Sequence, residues 1–136
     1  MIVGIGIDVC AVARIQQAID VLGDRFLREI FTEAERRSCG RSRDRAEHYA
    51  CWFAAKEATA KALGVGIETV IGWHDIQIVA SGGRHPSVHL TGAARFCAAE
   101  MAPPGYAPVL HVSLACASAT ARALVIFEAV PDMSPC

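Results

Sequence analysis

The chain has 136 residues, of which 53% are hydrophobic and 20% are charged. This composition predicts one folded domain with a single core, and it excludes an intrinsically disordered chain. The formal net charge of −1 excludes a binding mode that depends on an overall positive charge, for nucleic acid or for a membrane surface. No stretch approaches the roughly 18 consecutive apolar residues that a membrane-spanning helix needs.

The first predicted element is a strand over residues 2–9, where the two faces of the strand differ in side-chain size. Four aliphatic side chains share one face, which we expect to lie in the core: Val3, Ile5, Ile7 and Val9. The opposite face carries Gly4 and Gly6, which leave room for another backbone or a ligand, and it ends at the carboxylate of Asp8.

Three short helices are predicted next. Residues 11–20 place apolar side chains at helical spacing, and residues 26–31 form a second short helix. Thr32, followed three residues later by Glu35, has the pattern of a capping box that begins a third helix.

The third helix continues into a segment rich in arginine. Five arginines fall within ten residues: Arg36, Arg37, Arg41, Arg43 and Arg45. The simpler interpretation is a solvated basic loop. The alternative is a binding site for phosphates or for an acidic partner.

The longest predicted helix covers about residues 45–63 and ends at Gly64. The later predicted elements are strands at about 74–80 and 86–90 around a turn at Ser81-Gly82-Gly83, a helix at about 92–101, and strands at about 109–115 and 121–130. Helices grouped early and strands grouped late predict an α+β fold. We expect a single domain over residues 1–130 and a loose C-terminal tail over residues 131–136.

The six cysteines do not have the spacing of a zinc knuckle or a redox motif. No basic leader precedes the first strand, and Asp8 interrupts any apolar stretch that resembles a signal peptide. We therefore expect a cytoplasmic protein with reduced thiols.

The long helix carries a ridge of four side chains, each four residues from the next: Tyr49, Phe53, Glu57 and Lys61. The two aromatic rings belong against the core, so Glu57 is carried towards the core as well and must be paired, protonated or bound to a metal. Lys61 is oriented well to pair with it, which would make an ordinary ion pair. Because Asp8 offers a second carboxylate beside glycines and Lys56 adds a cation, a magnesium ion bound to substrate phosphates is the alternative.

Other kinds of site are less well supported. A dinucleotide-binding fingerprint would need a glycine at position 9, where the chain has Val9. His111 and Ser113 share one face of a predicted strand, which is usually an exposed polar face. A nucleophilic pair is a poor interpretation, because side chains two apart on one strand project side by side and no third orienting acid is evident.

Several segments together resemble one enzyme family. They are Gly4-Ile5-Gly6-Ile7-Asp8 followed by Arg14-Ile15, the helix segment Phe53-Ala54-Ala55-Lys56-Glu57-Ala58 with Lys61-Ala62, the glycine-rich turn before Pro86, and His111-Val112-Ser113-Leu114. In order and separation they are similar to the holo-acyl-carrier-protein synthases, which are 4′-phosphopantetheinyl transferases. The resemblance extends to about residue 130. It implies the family fold, in which a long helix packs on an antiparallel sheet.

The resemblance also implies an activity and a set of residues. The enzyme would transfer the 4′-phosphopantetheine of coenzyme A to a serine of an acyl carrier protein in fatty acid biosynthesis, releasing 3′,5′-ADP. Asp8 and Glu57 would hold Mg²⁺, Lys61 would steady the phosphates, and Glu57 would help to take the serine proton. The implied coenzyme A contacts are Lys61, Gly64, Pro86, His111 and Ser113. The implied carrier-binding residues are Arg14, Arg25 and Arg28, and the implied assembly is a homotrimer with its active sites between subunits.

Two positions depart from the family pattern. Trp52 stands where family members commonly have arginine, and Cys116 stands where they commonly have histidine. Both lie where the family handles coenzyme A. A second hypothesis is therefore a coenzyme A-binding or carrier-docking module with little activity, and a third is a structural trimer in which Glu57 and Lys61 form only a salt bridge.

Overall fold

The structure is a computed structural model that describes residues 1–40, 43–80 and 85–134. Most of its helices precede most of its strands along the chain. The helices are α1 (Val12–Leu22), α2 (Asp24–Ile30), α3 (Glu33–Cys39), α4 (Arg45–Leu63) and α5 (Gly92–Met101), with one turn of 3₁₀ helix at Trp73–Asp75. The strands are β1 (Ile2–Ala11), β2 (Ile76–Val79), β3 (Ser87–Leu90), β4 (Tyr106–Ala117) and β5 (Thr120–Pro131). The order confirms the predicted α+β class, and the predicted bounds of α4 and α5 agree to the residue.

The core lies between α4 and an antiparallel sheet with the strand order β1-β5-β4. Alternate residues of the central strand β5 are buried, and all of them are apolar: Ala121, Ala123, Val125, Phe127 and Ala129. Small side chains dominate this face and the facing surface of α4, so helix and sheet approach closely. Strands β2 and β3 form a separate antiparallel pair.

The two glycines of β1 lie directly against α4. A Cβ atom on Gly6 would be 1.8 Å from the carbonyl oxygen of Ala58, and one on Gly4 would be 2.0 Å from that of Ala62. Any side chain at either position would therefore push the strand off the helix. The missing side chains make room for another backbone, which was one of the two expectations from the sequence.

This packing overturns the predicted orientation of β1. Ile5, Ile7 and Val9 are 60%, 64% and 57% exposed, so three of the four side chains that were expected to lie in the core point outwards. The fourth, Val3, is partly buried against the core. The prediction was wrong because it ranked the faces by hydrophobicity, whereas the closeness of α4 selects the face without side chains. The sheet is left with an apolar outer face.

The ends of the helices follow the predicted capping signals. The Thr32 side chain accepts a hydrogen bond from the Glu35 amide at 3.2 Å, and the Glu35 carboxylate accepts one from the Thr32 amide at 2.8 Å, which completes the capping box of α3. Helix α4 ends at Gly64, whose φ of 67° is left-handed. The strand pairs also confirm the later predicted strands, although the predicted turn at 81–83 lies outside the described residues and β5 continues to Pro131.

A buried ion pair joins three parts of the fold. The Lys56 Nζ atom lies 2.9 Å from Oε1 of Glu35, and both side chains are 0% exposed. Lys56 also donates to the carbonyl oxygens of Trp73 and Ile76, while Glu35 accepts from the amide of Ile78. Burial lowers the pKa of Lys56, and the Glu35 carboxylate opposes that effect. Lys56 therefore holds the segment before β2 and is not the extra cation of a metal site that the sequence suggested.

Replacing one partner of this pair should be costly. Glu35→Gln leaves the Lys56 ammonium buried without its counter-charge, so we expect the free energy of unfolding to fall by about 3–5 kcal/mol. Urea denaturation followed by circular dichroism measures the change.

The matched control is Glu33→Gln, which removes a carboxylate from the same helix. Glu33 pairs with Arg37 at the surface, where the two side chains are 68% and 77% exposed, and such pairs contribute less than about 1 kcal/mol. Equal losses in the two variants would contradict the structural role assigned to the buried pair.

Candidate active site

The close contact between β1 and α4 brings the predicted carboxylates together. Asp8 lies two residues after Gly6 in β1, so it is on the same, helix-facing side of the strand as the two glycines. Glu57 precedes Ala58, whose carbonyl group meets Gly6. Asp8, Glu57 and Lys61 therefore share one site at the edge of the helix–sheet contact.

Lys61 bridges the strand and the helix. Its Nζ atom lies 3.0 Å from Oδ1 of Asp8 and 3.0 Å from the carbonyl oxygen of Ile7. The lysine was predicted to pair with Glu57, so the observed partner is the other carboxylate. The Lys61 side chain is 53% exposed and that of Asp8 is 17% exposed, so the lysine remains accessible to a ligand.

The charges around Glu57 favour a bound cation. Partial burial and the nearby Asp8 carboxylate raise the pKa of Glu57 above the ordinary range of a glutamate, whereas Lys61 and Arg14 act in the opposite direction. Glu68 adds a weaker raising effect. A positive ion between Asp8 and Glu57 would relieve this repulsion.

The available ligands fit one type of metal better than others. In residues 1–40, 43–80 and 85–134, no group of three or more histidine, cysteine, aspartate or glutamate side chains is placed to hold a metal ion. A structural zinc site uses four protein ligands. Magnesium usually takes one or two carboxylates and completes its shell with water and substrate phosphates. Asp8 and Glu57 could therefore hold Mg²⁺ together with a phosphate-bearing substrate.

An aromatic wall stands beside the site. The Arg14 guanidinium lies 5.9 Å from the centre of the Phe53 ring, and Phe53 stacks on Trp73 at 5.2 Å. The indole nitrogen of Trp73 donates to the carboxylate of Glu68 at 2.9 Å. Glu68 has a left-handed φ of 73°, which is strained for a residue with a side chain. Glu68 could not be identified as a site residue from the sequence, because a glutamate in a loop after a helix carries no distinguishing signal.

His111 and Ser113 do not join this site within one chain. In the sheet register, Ser113 pairs with Leu124 and Leu124 pairs with Ile7, so Ser113 lies on the outer face. His111 is on the same face, where its Nε2 atom lies 2.9 Å from Oε1 of Glu128. Asp8 belongs to the opposite face of the sheet.

The remaining predicted contacts lie at several places in the fold. Gly64 is the C-cap of α4, three residues beyond Lys61. Pro86 directly precedes β3. Arg14, Arg25 and Arg28 are all exposed on α1 and α2.

Of the two departures from the family pattern, Trp52 lies on α4 and Cys116 lies on β4. Trp52 is buried and packs edge-on against Tyr49, with 6.0 Å between the ring centres. Burial, together with the nearby Cys116, raises the pKa of Cys51 to about 12. His48, Cys51, Trp52 and Leu114 contribute to a cavity of about 340 Å³.

No helix in the described part of the chain is both long and apolar enough to span a membrane.

Comparison with known proteins supports the family suggested by the sequence. Residues 4–111 match the model of the 4′-phosphopantetheinyl transferase superfamily. The holo-[acyl-carrier-protein] synthase of Methylorubrum populi is 44% identical over 131 residues, which are 96% of this chain and 96% of the relative.

Solved structures agree with this match. The crystal structure of holo-[acyl-carrier-protein] synthase from Neisseria meningitidis superposes with a TM-score of 0.82 at 29% identity and covers 94% of this chain and 99% of its own. The Bacillus anthracis holo-(acyl-carrier-protein) synthase, in complex with CoA (3′,5′-ADP), has a TM-score of 0.75 at 30% identity and covers 96% and 99%. The chain belongs to the holo-[acyl-carrier-protein] synthase family of the 4′-phosphopantetheinyl transferase superfamily.

Proposed function

We propose that the protein transfers 4′-phosphopantetheine from coenzyme A to a serine hydroxyl of an acyl carrier protein, with Mg²⁺ held by Asp8 and Glu57. The observation that carries this proposal is the meeting of two carboxylates and one accessible lysine where β1 touches α4. The coenzyme A complex of the Bacillus anthracis relative supports the choice of donor. The names of the curated relatives support the choice of acceptor.

The reaction is a phosphoryl transfer in which the serine hydroxyl displaces 3′,5′-ADP from the phosphorus that carries pantetheine. The serine oxygen forms a bond to the phosphorus that carries pantetheine, the bond from that phosphorus to the oxygen bridging to the adenosine phosphate breaks, and 3′,5′-ADP leaves. When bound, Mg²⁺ supplies positive charge to the pyrophosphate oxygens. The residues of the chain must position the phosphates and accept the serine proton.

Glu57 and Lys61 have properties that suit these tasks. Glu57 is a carboxylate at the meeting of β1 and α4, close to Asp8 and Lys61, so it can take the serine proton directly or through a water. Lys61 is half exposed and can turn its ammonium group towards a phosphate oxygen. Before the substrate binds, the contact of Lys61 with Asp8 balances the negative charge of that carboxylate.

The binding-module hypothesis is supported by the two departures. Neither the buried indole of Trp52 nor the thiol of Cys116 supplies a cation to coenzyme A. A protein that binds coenzyme A but does not modify any carrier would favour this second function over transfer.

Removing the charge of Glu57 tests the transfer function. Glu57→Gln keeps the shape of the side chain but removes both its charge and its ability to accept a proton, so we expect the transfer rate to fall by about 10²–10⁴-fold. Intact-mass spectrometry of an apo carrier protein, incubated with Mg²⁺ and coenzyme A, measures the gain of one 4′-phosphopantetheine group. Glu100→Gln on α5 is the control and should transfer normally, since Glu100 is exposed on another helix. Undiminished transfer by the Glu57 variant would refute the assignment.

The carrier surface proposed here combines cations with exposed apolar side chains. Arg14 lies at the edge of the active site, and Arg25 and Arg28 follow on α2. Val21 is 74% exposed on α1 and lines an open groove with Arg14. Such a surface fits an acidic helix that also carries apolar side chains.

Reversing one of these charges should affect the carrier selectively. For Arg25→Glu we expect KM for the carrier to rise roughly tenfold while kcat changes little, because the residue would attract the partner without touching the reacting atoms. Steady-state kinetics with varied carrier concentration measure both constants, and Arg95→Glu on α5 gives the matched charge reversal elsewhere. A fall in kcat alone would argue against a docking role.

The assembly proposed here is a homotrimer that buries the outer face of the sheet. Ile5, Ile7 and Val9 form an aliphatic row on a strand whose other side touches α4, and contiguous apolar surface of this kind usually marks an interface. Association through this face would bring His111 and Ser113 of one protomer to the neighbourhood of another protomer's site. The family resemblance supports three copies.

A charge in this row should dissociate the assembly. We expect Ile7→Arg to sediment as a monomer and to lose transfer activity, since burial of an unpaired charge at the interface is unfavourable. Analytical ultracentrifugation measures the mass, and Phe96→Arg is the control because Phe96 is equally exposed on α5. A wild-type protein that sediments as a monomer would refute the proposal.

A further inference from the structure

A second group of cations lies away from the carboxylates. It is a cleft of about 290 Å³ between α2, α3 and the beginning of α4, whose lining includes Arg28, Arg36, Arg37, Arg45, Asp24 and Tyr49. We call it the arginine cleft. Tyr49 precedes Glu57 by eight residues of α4, so the cleft begins about 12 Å from the active site along the helix.

The described residues that line the arginine cleft carry more positive than negative charge. Arg37 pairs with Glu33, but Arg28, Arg36 and Arg45 have no ion pair among the residues that the structure describes. Among the described residues that line the cleft, Asp24 is the one acidic side chain. Three arginines against one aspartate leave an excess of about two positive charges, which matches the charge of a phosphate dianion at neutral pH.

One of the arginines that line the cleft has a donor that is both buried and unsatisfied. The Nε atom of Arg36 is buried and has no hydrogen-bond partner in the described part of the chain. A buried donor without a partner is uncommon in folded proteins and often indicates a missing ligand or ion. Helix α4 begins beside the cleft at Arg45, and its N-cap residue Asp44 makes no side-chain cap, so the first amide groups of the helix are left without that acceptor.

From these observations we infer that the arginine cleft is a binding site for a compact phosphate, either inorganic phosphate or a phosphate monoester, separate from the metal site. Guanidinium groups match phosphate oxygens with paired hydrogen bonds. The volume lies at the lower end of the range of ligand pockets, so it suits a small anion rather than a whole coenzyme. Its concave shape favours such an anion over the convex acidic helix of a carrier protein.

Titration of the ¹⁵N-labelled protein with inorganic phosphate, at constant ionic strength set with sodium chloride, tests this inference. Saturable shifts of the backbone amides of Arg36, Arg45 and Ala46 are expected in the wild-type protein and in Asp8→Asn, which disables only the metal site. The double variant Arg36→Gln/Arg45→Gln should bind phosphate at least about tenfold more weakly. Arg95→Gln should bind like the wild type.

Two further measurements control for unfolding of the double variant and distinguish inorganic phosphate from a phosphate monoester. If the double variant is unfolded by circular dichroism, Arg45→Gln alone is compared with Arg45→Lys, and only the glutamine variant should lose most of its affinity. AMP in place of inorganic phosphate distinguishes the two sources, since a preference of more than about tenfold identifies a phosphate monoester.

Three results would overturn the inference. One is the absence of saturation at the arginine cleft, and another is phosphate binding that is unchanged in the folded double variant. The third is a cleft that responds to an acidic carrier protein but not to phosphate, because the arginines would then belong to the carrier surface.

Discussion

The contact between the backbone of β1 and the backbone of α4 governs the rest of the molecule. It exists only because Gly4 and Gly6 have no side chains, since a Cβ atom at either position would lie about 2 Å from a helix carbonyl oxygen. The contact fixes the distance between two rigid elements, and each element carries part of the active site. Asp8 on the strand and Glu57 on the helix depend on it for their proximity, which no loop could fix as closely.

The same contact determines which surfaces remain for other molecules. Because the glycine face of β1 turns inwards, the isoleucine and valine face must turn outwards, together with His111 and Ser113 of β4. The proposed catalytic carboxylates and the polar residues of β4 therefore lie on opposite sides of one sheet. In a single chain the carboxylates are therefore separated from His111 and Ser113, although the proposed reaction needs both groups at one site. A second copy of the chain is the simplest way to bring the two groups together.

The sequence predicted the elements better than their orientation. The bounds of α4 followed from helical spacing and from Gly64, and the capping box of α3 followed from Thr32 and Glu35, because these signals are local. The inward face of β1 could not be predicted from hydrophobicity, since the choice depends on how closely a distant helix approaches. The buried partner of Lys56 was missed for the same reason, because Glu35 and Lys56 are 21 residues apart and nothing local marks them as a pair.

Within the site, the pattern of residues identified the participants but not all of their contacts. The four-residue spacing suggested that Lys61 pairs with Glu57, and the structure pairs it with Asp8 across the strand. The place of Glu68 beside the site could not be predicted from the sequence, because it depends on a left-handed turn and on the Trp73 indole. Family resemblance supplied the functional roles, which spacing alone does not contain.

The burial of Lys56 has a consequence for its neighbour in the chain. Successive residues of an α-helix point about 100° apart around the axis. Lys56 is tied to the segment before β2 and cannot swing, so α4 is prevented from rolling about its own axis. Glu57, one residue further round, is thereby aimed at the strand. The alignment of the candidate active site is thus set from another flank of the helix, by a side chain that is fully buried.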